Sequence, residues 1–230
     1  MSNNMQGKTL GIIHAATLTV PTLAAFAKEI IPGVEVMNAA DDTVQRDNLR
    51  APVGVIPKRN YYKFATLARF LEEAEVDMIM LACSTFNSAV NVATPMITVP
   101  MLQIDRPMME KAVATGSRIG LLGTLPSTMP ASERLLRECA RDADKKIEVV
   151  SILNDKAFQI LQTGDAQRHN AMLLEDIKRL SEEVDCIVLA QASMSGLEAE
   201  VNGNKVPVYT SPRLAFERIR SMLEGADRRL

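Results

Sequence analysis

The chain has 230 residues, of which 47% are apolar, enough for a hydrophobic core in one large domain or in two of roughly 100–120 residues each. A formal net charge of −2 and a pI near 5.8 give no reason to expect binding to nucleic acid or to a membrane surface. The three cysteines, Cys83, Cys139 and Cys186, have unrelated spacings that make neither a disulfide framework nor a set of zinc ligands. Since the N-terminal residues lack the apolar region of a signal peptide and no apolar run approaches membrane-spanning length, we expect a cytoplasmic protein.

In the first half of the chain, apolar runs with strand character alternate with segments of helical periodicity. Strands are predicted over residues 9–16, 34–38, 76–81 and 97–102, and helices over residues 23–31, 61–74, 87–93 and 107–114, the last capped by Asp105. Residues 41–60 form the least regular section and are predicted to be a solvated loop. The alternative is a mobile cover that carries a cation for an anionic substrate.

The second half repeats this alternation. Strands are predicted over residues 118–123 and 146–152, around Cys186 and over 207–209, and helices from Ser132 as a cap to about Arg141, within 170–184 and over 214–223. Strands that alternate with helices predict an α/β fold with parallel sheets, in which functional sites collect at the carboxyl ends of the strands. Four residues fall at or near such ends: His14, Cys83, Thr124 and Gln191.

A short repeat relates the two halves. Five of the six residues from Val76 to Leu81 are apolar, which is typical of a buried strand, and Cys83 follows at a predicted junction with a helix that opens near Asn87. The N-terminus of a helix favours a thiolate there. The pattern returns from Val184 to Met194, and the aligned pairs are Val76 and Val184, Asp77 and Asp185, Leu81 and Leu189, and Ala82 and Ala190. Gln191 occupies the position that Cys83 holds in the first copy, so the thiol is present in one half only.

Three motifs resemble those of the Asp/Glu racemase superfamily, which includes glutamate, aspartate and hydantoin racemases, maleate isomerase and arylmalonate decarboxylase. Leu81-Ala82-Cys83-Ser84-Thr85 is similar to the first catalytic motif, a strand followed by Cys, then Asn or Ser, then Thr. The second motif of the family is a strand ending Gly-Cys-Thr or Gly-Cys-Ala, where this chain reads Ala190-Gln191-Ala192-Ser193-Met194. Ile119 to Thr124 resembles the strand that opens the family's second half, whose terminal Thr helps to bind a substrate carboxylate.

The resemblance implies two similar Rossmann-like lobes with parallel sheets and an active-site cleft between them. Residues 1–100 with 210–230 would form lobe 1, which carries Cys83, and residues 101–209 would form lobe 2, which carries Thr124 and Gln191. It also implies proton transfer at the carbon α to the carboxylate of a small amino acid or dicarboxylate, without a cofactor or a metal, and it suggests a homodimer. The sequence has no Gly-rich phosphate loop or dinucleotide fingerprint that would predict a nucleotide.

The expected site residues follow from the same resemblance. Cys83 would be the acid/base, and Ser84, Thr85, Thr124 and Ser193 would donate hydrogen bonds to the carboxylate as it gains charge. Gln191 and Ala192 join the substrate-binding residues through their position in the repeat.

Gln191 cannot replace a second catalytic thiol, because a carboxamide does not titrate near neutral pH. Three interpretations therefore stay open. In the first, His14 serves the face of the substrate opposite Cys83. In the second, one thiol suffices for a decarboxylation, a tautomerisation or an elimination. In the third, the protein binds a carboxylate without catalysis.

Three further residues are predicted to lie outside the site. His169 is expected to be solvated, because polar residues surround it in the sequence. Cys139 and Cys186 are expected to be thiols of the hydrophobic core.

Overall fold

A computed structural model describes residues 5–225 of the chain, in which strands and helices alternate. The strands are β1 (Thr9–His14), β2 (Glu35–Ala40), β3 (Met78–Ala82), β4 (Met101–Gln103), β5 (Arg118–Gly123), β6 (Glu148–Leu153), β7 (Cys186–Leu189) and β8 (Val208–Tyr209). The helices are α1 (Val20–Ile30), α2 (Asp42–Arg50), α3 (Lys58–Glu73), α4 (Ala89–Ala93), α5 (Arg106–Thr115), α6 (Met129–Asp142), α7 (Asp155–Gln162), α8 (Ala166–Leu180) and α9 (Ser211–Leu223). Short 3-10 helices, Thr17–Thr19 and Ala192–Leu197, follow β1 and β7.

The strands of residues 5–225 form two four-stranded sheets with the orders β2-β1-β3-β4 and β6-β5-β7-β8, and every neighbouring pair is parallel. This arrangement confirms the predicted α/β fold with parallel sheets. In the first sheet His14 is in register with Ala82, so the carboxyl ends of β1 and β3 lie at the same edge. The residues that follow these two strands are therefore close in space.

The chain divides into two compact units. One contains the residues up to Ile104 together with those from Pro212 onward, and the other is Asp105–Ser211. The chain thus returns to the first unit with α9. Residues 1–4 and 226–230, which the sequence analysis assigned to lobe 1, lie outside the described residues.

Each unit has its own core around a strand that is buried along its whole length. All five residues of β3 and all four of β7 are buried, as expected where helices cover both faces of a parallel sheet. In the first unit Phe64 of α3 packs edge-on against Phe86, with ring centroids 6.0 Å apart. In the second unit α8 covers β5 and β7 with Leu173 and Ile177.

The prediction of a solvated loop is wrong for residues 42–50, which form α2. The carboxylate of Asp41 caps this helix by accepting the backbone N–H of Thr43. Asp47, itself buried, accepts hydrogen bonds from Arg59 (2.8 Å) and Lys63 (3.0 Å) of α3. Helix α2 has few apolar residues and is held to α3 by ion pairs. The sequence therefore shows no apolar periodicity that would have predicted this helix.

Two other local predictions were also wrong, and a third was right in position only. Ser132 does not cap α6, which begins at Met129, but is buried within that helix, and its Oγ has no hydrogen-bond partner among residues 5–225. Asp105 does occupy the N-cap position of α5, as predicted, but its side chain makes no cap hydrogen bond. His169 is not solvated but only 3% exposed, because it lies on the buried face of α8.

Among residues 5–225, no helix combines the length and the apolar character that crossing a bilayer requires.

Candidate functional site

Cys83 comes directly after β3, at the carboxyl edge of the first sheet. Its side chain is half-buried, Ser84 is buried, and Thr85 is half-buried. A turn over residues 84–88 follows, and α4 begins at Ala89 after Ser88, which makes no side-chain cap hydrogen bond. The helix that the sequence predicts from about Asn87 begins two residues later, at Ala89, and a turn joins Cys83 to it.

Packing and hydrogen bonds beneath it hold the 84–88 turn in place. Phe86 is buried, with ring centroids 5.3 Å from Tyr61 and 6.0 Å from Phe64. Gln103, the last residue of β4, donates from Nε2 to the backbone oxygen of Asn87 at 2.9 Å. Sequence reasoning missed Gln103, although a lone carboxamide in the apolar run from Met101 to Ile104 was an available signal.

His14 ends β1 at the same edge of the sheet and is fully buried. Its Nδ1 lies 2.7 Å from the hydroxyl of Thr19, and its Nε2 lies 2.8 Å from Oδ1 of Asn38. Burial lowers the pKa of His14, and the hydrogen bond to Asn38 opposes this effect in part. The ring is therefore neutral at pH 7 and uses both nitrogens within the first unit.

In the second unit the structure brings Thr124 and Gln191 together at the ends of β5 and β7. Oε1 of Gln191 accepts the backbone N–H of Thr124 at 2.6 Å and its hydroxyl at 2.9 Å. The amide nitrogen of Gln191 is the end of this group that donates hydrogen bonds. Ala192 is half-buried and Ser193 is exposed, both in the short 3-10 helix that begins after Gln191.

The repeat seen in the sequence has a structural counterpart. Oδ2 of Asp77 accepts the backbone N–H of Thr9 at 2.8 Å, and Oδ2 of Asp185 accepts that of Arg118, also at 2.8 Å. Thr9 begins β1 and Arg118 begins β5, so each aspartate ties the approach to its buried strand to the first strand of its unit. Cys83 and Gln191 therefore hold equivalent positions in the two units.

Cys139 and Cys186 are buried, which confirms that they are core thiols. Burial raises the pKa of Cys139 to about 12 and that of Cys186 to about 11. The Cys186 thiol also lies 3.5 Å from the backbone oxygen of Ala112, to which it donates. Within residues 5–225, no three His, Cys, Asp or Glu side chains are grouped so that they could hold a metal ion.

A family model described as Asp/Glu/hydantoin racemase matches residues 54–219, more than half of the chain. No curated protein matches the sequence.

Several solved structures resemble this one over most of their length. An aspartate racemase from Picrophilus torridus has a TM-score of 0.73 at 18% identity and covers 95% of this chain and 95% of its own. The allantoin racemase from Klebsiella pneumoniae has a TM-score of 0.69 at 19% identity, over 94% of this chain and 88% of its own. The glutamate racemase isoform RacE1 from Bacillus anthracis has a TM-score of 0.68 at 18% identity, over 96% and 83%. At such low identities these structures show a shared fold.

Proposed function

The chain belongs to the Asp/Glu/hydantoin racemase family, and from that membership we propose that it is a cofactor-independent isomerase of a small amino acid or dicarboxylate. The reaction would be proton transfer at the carbon α to the substrate carboxylate, with Cys83 as the acid/base. The observation that carries the proposal is the position of Cys83, half-buried at the carboxyl end of β3 and followed by two hydroxyl residues, Ser84 and Thr85. The thiols of Cys139 and Cys186 are buried in the core.

In this proposal the Cys83 thiolate removes the α proton, and the electron pair of the broken C–H bond moves into the carboxylate to form an enediolate. The hydroxyls of Ser84 and Thr85 donate hydrogen bonds to the oxygens on which this charge develops. Return of a proton to the carbon from the opposite side inverts the centre. We propose His14 as the group for that side; because both of its ring nitrogens are engaged, it would have to release Thr19 or Asn38 to exchange a proton.

For the second unit we propose Thr124, Gln191, Ala192 and Ser193 as residues that bind the substrate. The oxygen of the Gln191 carboxamide is already used by Thr124, so the carboxamide would offer its N–H groups. An N–H donor stabilises negative charge without exchanging a proton.

Both ring nitrogens of His14 are already hydrogen-bonded, and the oxygen of the Gln191 carboxamide is bonded to Thr124. These contacts favour a second candidate function, in which Cys83 works as the single acid/base. A decarboxylation of a malonate-like acid, a tautomerisation or an elimination needs one proton delivered or removed. A carbanion formed by loss of carbon dioxide, for instance, would take its proton from the Cys83 thiol. The donors proposed above would serve this reaction equally well, because it also develops charge on a carboxylate.

Proton NMR in deuterium oxide distinguishes these functions, with amino acids, malonates, maleate and hydroxy acids as substrates. Deuterium at the α carbon together with the antipode supports racemisation. Deuterium with retained configuration, or in a decarboxylated product, supports the single-thiol reaction. If the acids bind but none exchanges or reacts, the protein binds carboxylates without catalysis.

Two variants assign the reaction to the thiol. Cys83→Ala should abolish exchange, whereas Cys139→Ala, which removes a thiol from the core, should retain it. Equal exchange by the Cys83→Ala variant and the unmodified protein would contradict the proposed role of Cys83.

A further inference from the structure

A groove of about 630 Å³ lies in the second unit, between α6 and the residues that lead into β6 at the edge of the sheet. Four cations line it, Arg134, Arg137, Arg141 and Lys145, against one carboxylate, Glu133. Because the whole chain has a net charge of −2, this excess of positive charge is local and does not reflect the composition. We call this surface the α6 groove.

The cations follow the length of the α6 groove. Arg134, Arg137 and Arg141 lie on one side of α6, because they are spaced by three and four residues. Seven residues separate Arg134 from Arg141, which corresponds to about 10 Å along the helix axis. Lys145 follows α6 and donates one N–H to the backbone oxygen of Val113, so two of its three donors remain.

Two of the three arginines have no partner for their charge. Arg137 is neutralised within the helix, because its Nε and Nη2 donate to Oε1 of Glu133 at 2.9 and 2.7 Å. Arg134 and Arg141 are exposed, and their guanidinium groups make no hydrogen bond or ion pair with any of residues 5–225. Their donors are therefore available to an anion from outside the chain.

The carboxylates near the α6 groove do not balance these charges. Asp142 ends α6 and pairs with Arg106 at 3.2 Å, and Glu148 begins β6 and pairs with Arg118 at 3.6 Å. Glu138 lies on α6 but outside the lining of the groove, and it forms no ion pair within the part of the chain that the structure describes. The groove thus keeps its positive charge.

The rest of the lining is apolar. Pro130 lies in the first turn of α6, Ala140 lies in its last turn, and Ile147 comes immediately before β6. A concave surface that combines an apolar wall with a few charged groups is typical of a site for a small organic molecule. A purely inorganic anion would leave this wall uncovered.

The number and type of the cations favour phosphate over carboxylate. A guanidinium group binds the oxygens of a phosphate in pairs, and arginine is the common residue for this purpose. A single phosphate carries about −1.5 to −2 charges at pH 7, whereas the lining has three positive charges beyond those that Glu133 balances. A chain of two or three phosphates matches this charge.

We propose that the α6 groove binds an organic di- or triphosphate, with Arg134, Arg141 and Lys145 on the phosphates and the apolar wall against the organic part. The site is distinct from the candidate substrate site of this unit. Lys145 precedes β6 at the amino edge of the sheet, whereas Thr124 follows β5 at the carboxyl edge, about 20 Å away along the strands. This inference is independent of the reaction that the protein catalyses.

Calorimetric titration of the full chain with ATP as the probe, at about 50 mM salt, tests the proposal. ATP should bind with a Kd below about 1 mM, and the double variant Arg134→Gln, Arg141→Gln should raise this Kd at least about tenfold. The matched control is Arg168→Gln, Lys178→Gln, which removes two exposed cations from α8 and should bind ATP as the wild type does. Absence of ATP binding, or equal weakening in both double variants, would overturn the proposal.

Two further measurements test the apolar wall and the location. Inorganic triphosphate has the same phosphate chain as ATP but no organic part, so it should bind more weakly than ATP. Equal affinity would contradict the role of the wall. Photo-cross-linking with 8-azido-ATP, followed by peptide mass spectrometry, should label peptides that contain residues 130–147. A label confined to other peptides, such as the one with Cys83, would place the nucleotide elsewhere and refute the assignment of the α6 groove.

Discussion

Thr124 donates both its backbone N–H and its hydroxyl to one atom, Oε1 of Gln191, at 2.6 and 2.9 Å. Thr124 is 1% exposed and Gln191 is 8% exposed, so water cannot readily replace the carboxamide oxygen. A buried donor that loses its acceptor costs about 1–3 kcal/mol. Gln191 therefore stabilises the second unit in addition to the substrate-binding role proposed for it.

Gln191→Ala is expected to lower the free energy of unfolding by about 1–3 kcal/mol or more, because two buried donors of Thr124 lose their shared acceptor. Urea unfolding followed by circular dichroism measures this change. Gln191→Glu keeps an acceptor oxygen at the same position and should lose less stability at pH 7. If Gln191→Ala unfolds at the wild-type urea concentration, the two hydrogen bonds do not contribute as argued.

Gly116 is expected to tolerate no side chain. A Cβ atom at this position would lie 2.2 Å from Cβ of Asp185, whose carboxylate accepts the backbone N–H groups of Ser117 and Arg118. Gly116→Ala should therefore displace Asp185 and destabilise the protein by about 2 kcal/mol or more.

The matched control is Gly196→Ala, because nothing lies within 4 Å of a Cβ atom built there. Its midpoint of thermal unfolding should stay near that of the wild type, within the effect of about 0.5 kcal/mol that is usual for surface changes. Equal midpoints of thermal unfolding for Gly116→Ala and Gly196→Ala would show that Asp185 can move without a loss of stability.

The positions of the buried strands along the chain were largely predictable from the sequence, whereas elements held by tertiary polar contacts were not. The apolar runs of β3 and β7 predicted buried strands correctly, because a strand covered on both faces needs a continuous apolar run. Helix α2 has no such pattern, and its Asp41 cap and its ion pairs with α3 become visible only in three dimensions.

The repeat that relates the two units extends beyond the strands to the caps of α2 and α7. The backbone N–H of Asp41 bonds to the oxygen of His14 (3.1 Å), and that of Asn154 bonds to the oxygen of Gly123 (2.9 Å), so the two caps occupy equivalent places. Extending the alignment beyond the strands could thus have predicted α2 and α7 together. At the candidate site, the contact of Thr124 with Gln191 spans 67 positions of sequence, and no local pattern specifies such a pair.

Alkylation of the native protein is expected to be selective for Cys83. Because burial raises the pKa of Cys186 to about 11 and that of Cys139 to about 12, both stay protonated at pH 7 and react only when the pH approaches those values. Iodoacetamide treatment followed by peptide mass spectrometry should find the label on Cys83, and Cys83→Ser should leave the native chain unlabelled. As a control, the urea-unfolded protein should be labelled at all three cysteines. Rapid native labelling of Cys186 would contradict its burial.

His14 should make the protein less stable as the pH falls below about 6.5. Burial lowers its pKa below the ordinary value of 6.5, so the unfolded chain takes up a proton at a higher pH than the folded one does. Stability is therefore retained above pH 6.5 and falls as the pH drops through that value. Urea unfolding above and below this pH should show a smaller decline for His14→Gln than for the wild type. Parallel declines would mean that His14 titrates alike in both states.

Asp47 should stabilise the fold at neutral pH and lose this effect in acid. Its hydrogen bonds from Arg59 and then Lys63 lower the pKa of this carboxyl to about 2, from an ordinary value of 3.8. The folded state thus holds the charged form more strongly than the unfolded chain does, so the contribution is complete above about pH 4 and disappears as the pH falls toward 2.

Asp47→Asn should therefore unfold at a lower urea concentration than the wild type at pH 7, and the difference should shrink between pH 4 and pH 2. Glu35→Gln removes an exposed carboxylate at the start of β2 and serves as the control for the loss of one negative charge. If the difference in urea midpoint between Asp47→Asn and the wild type stays constant down to pH 2, Asp47 stabilises the fold through packing and not through its charge. In that case the ion pairs with α3 would not anchor α2.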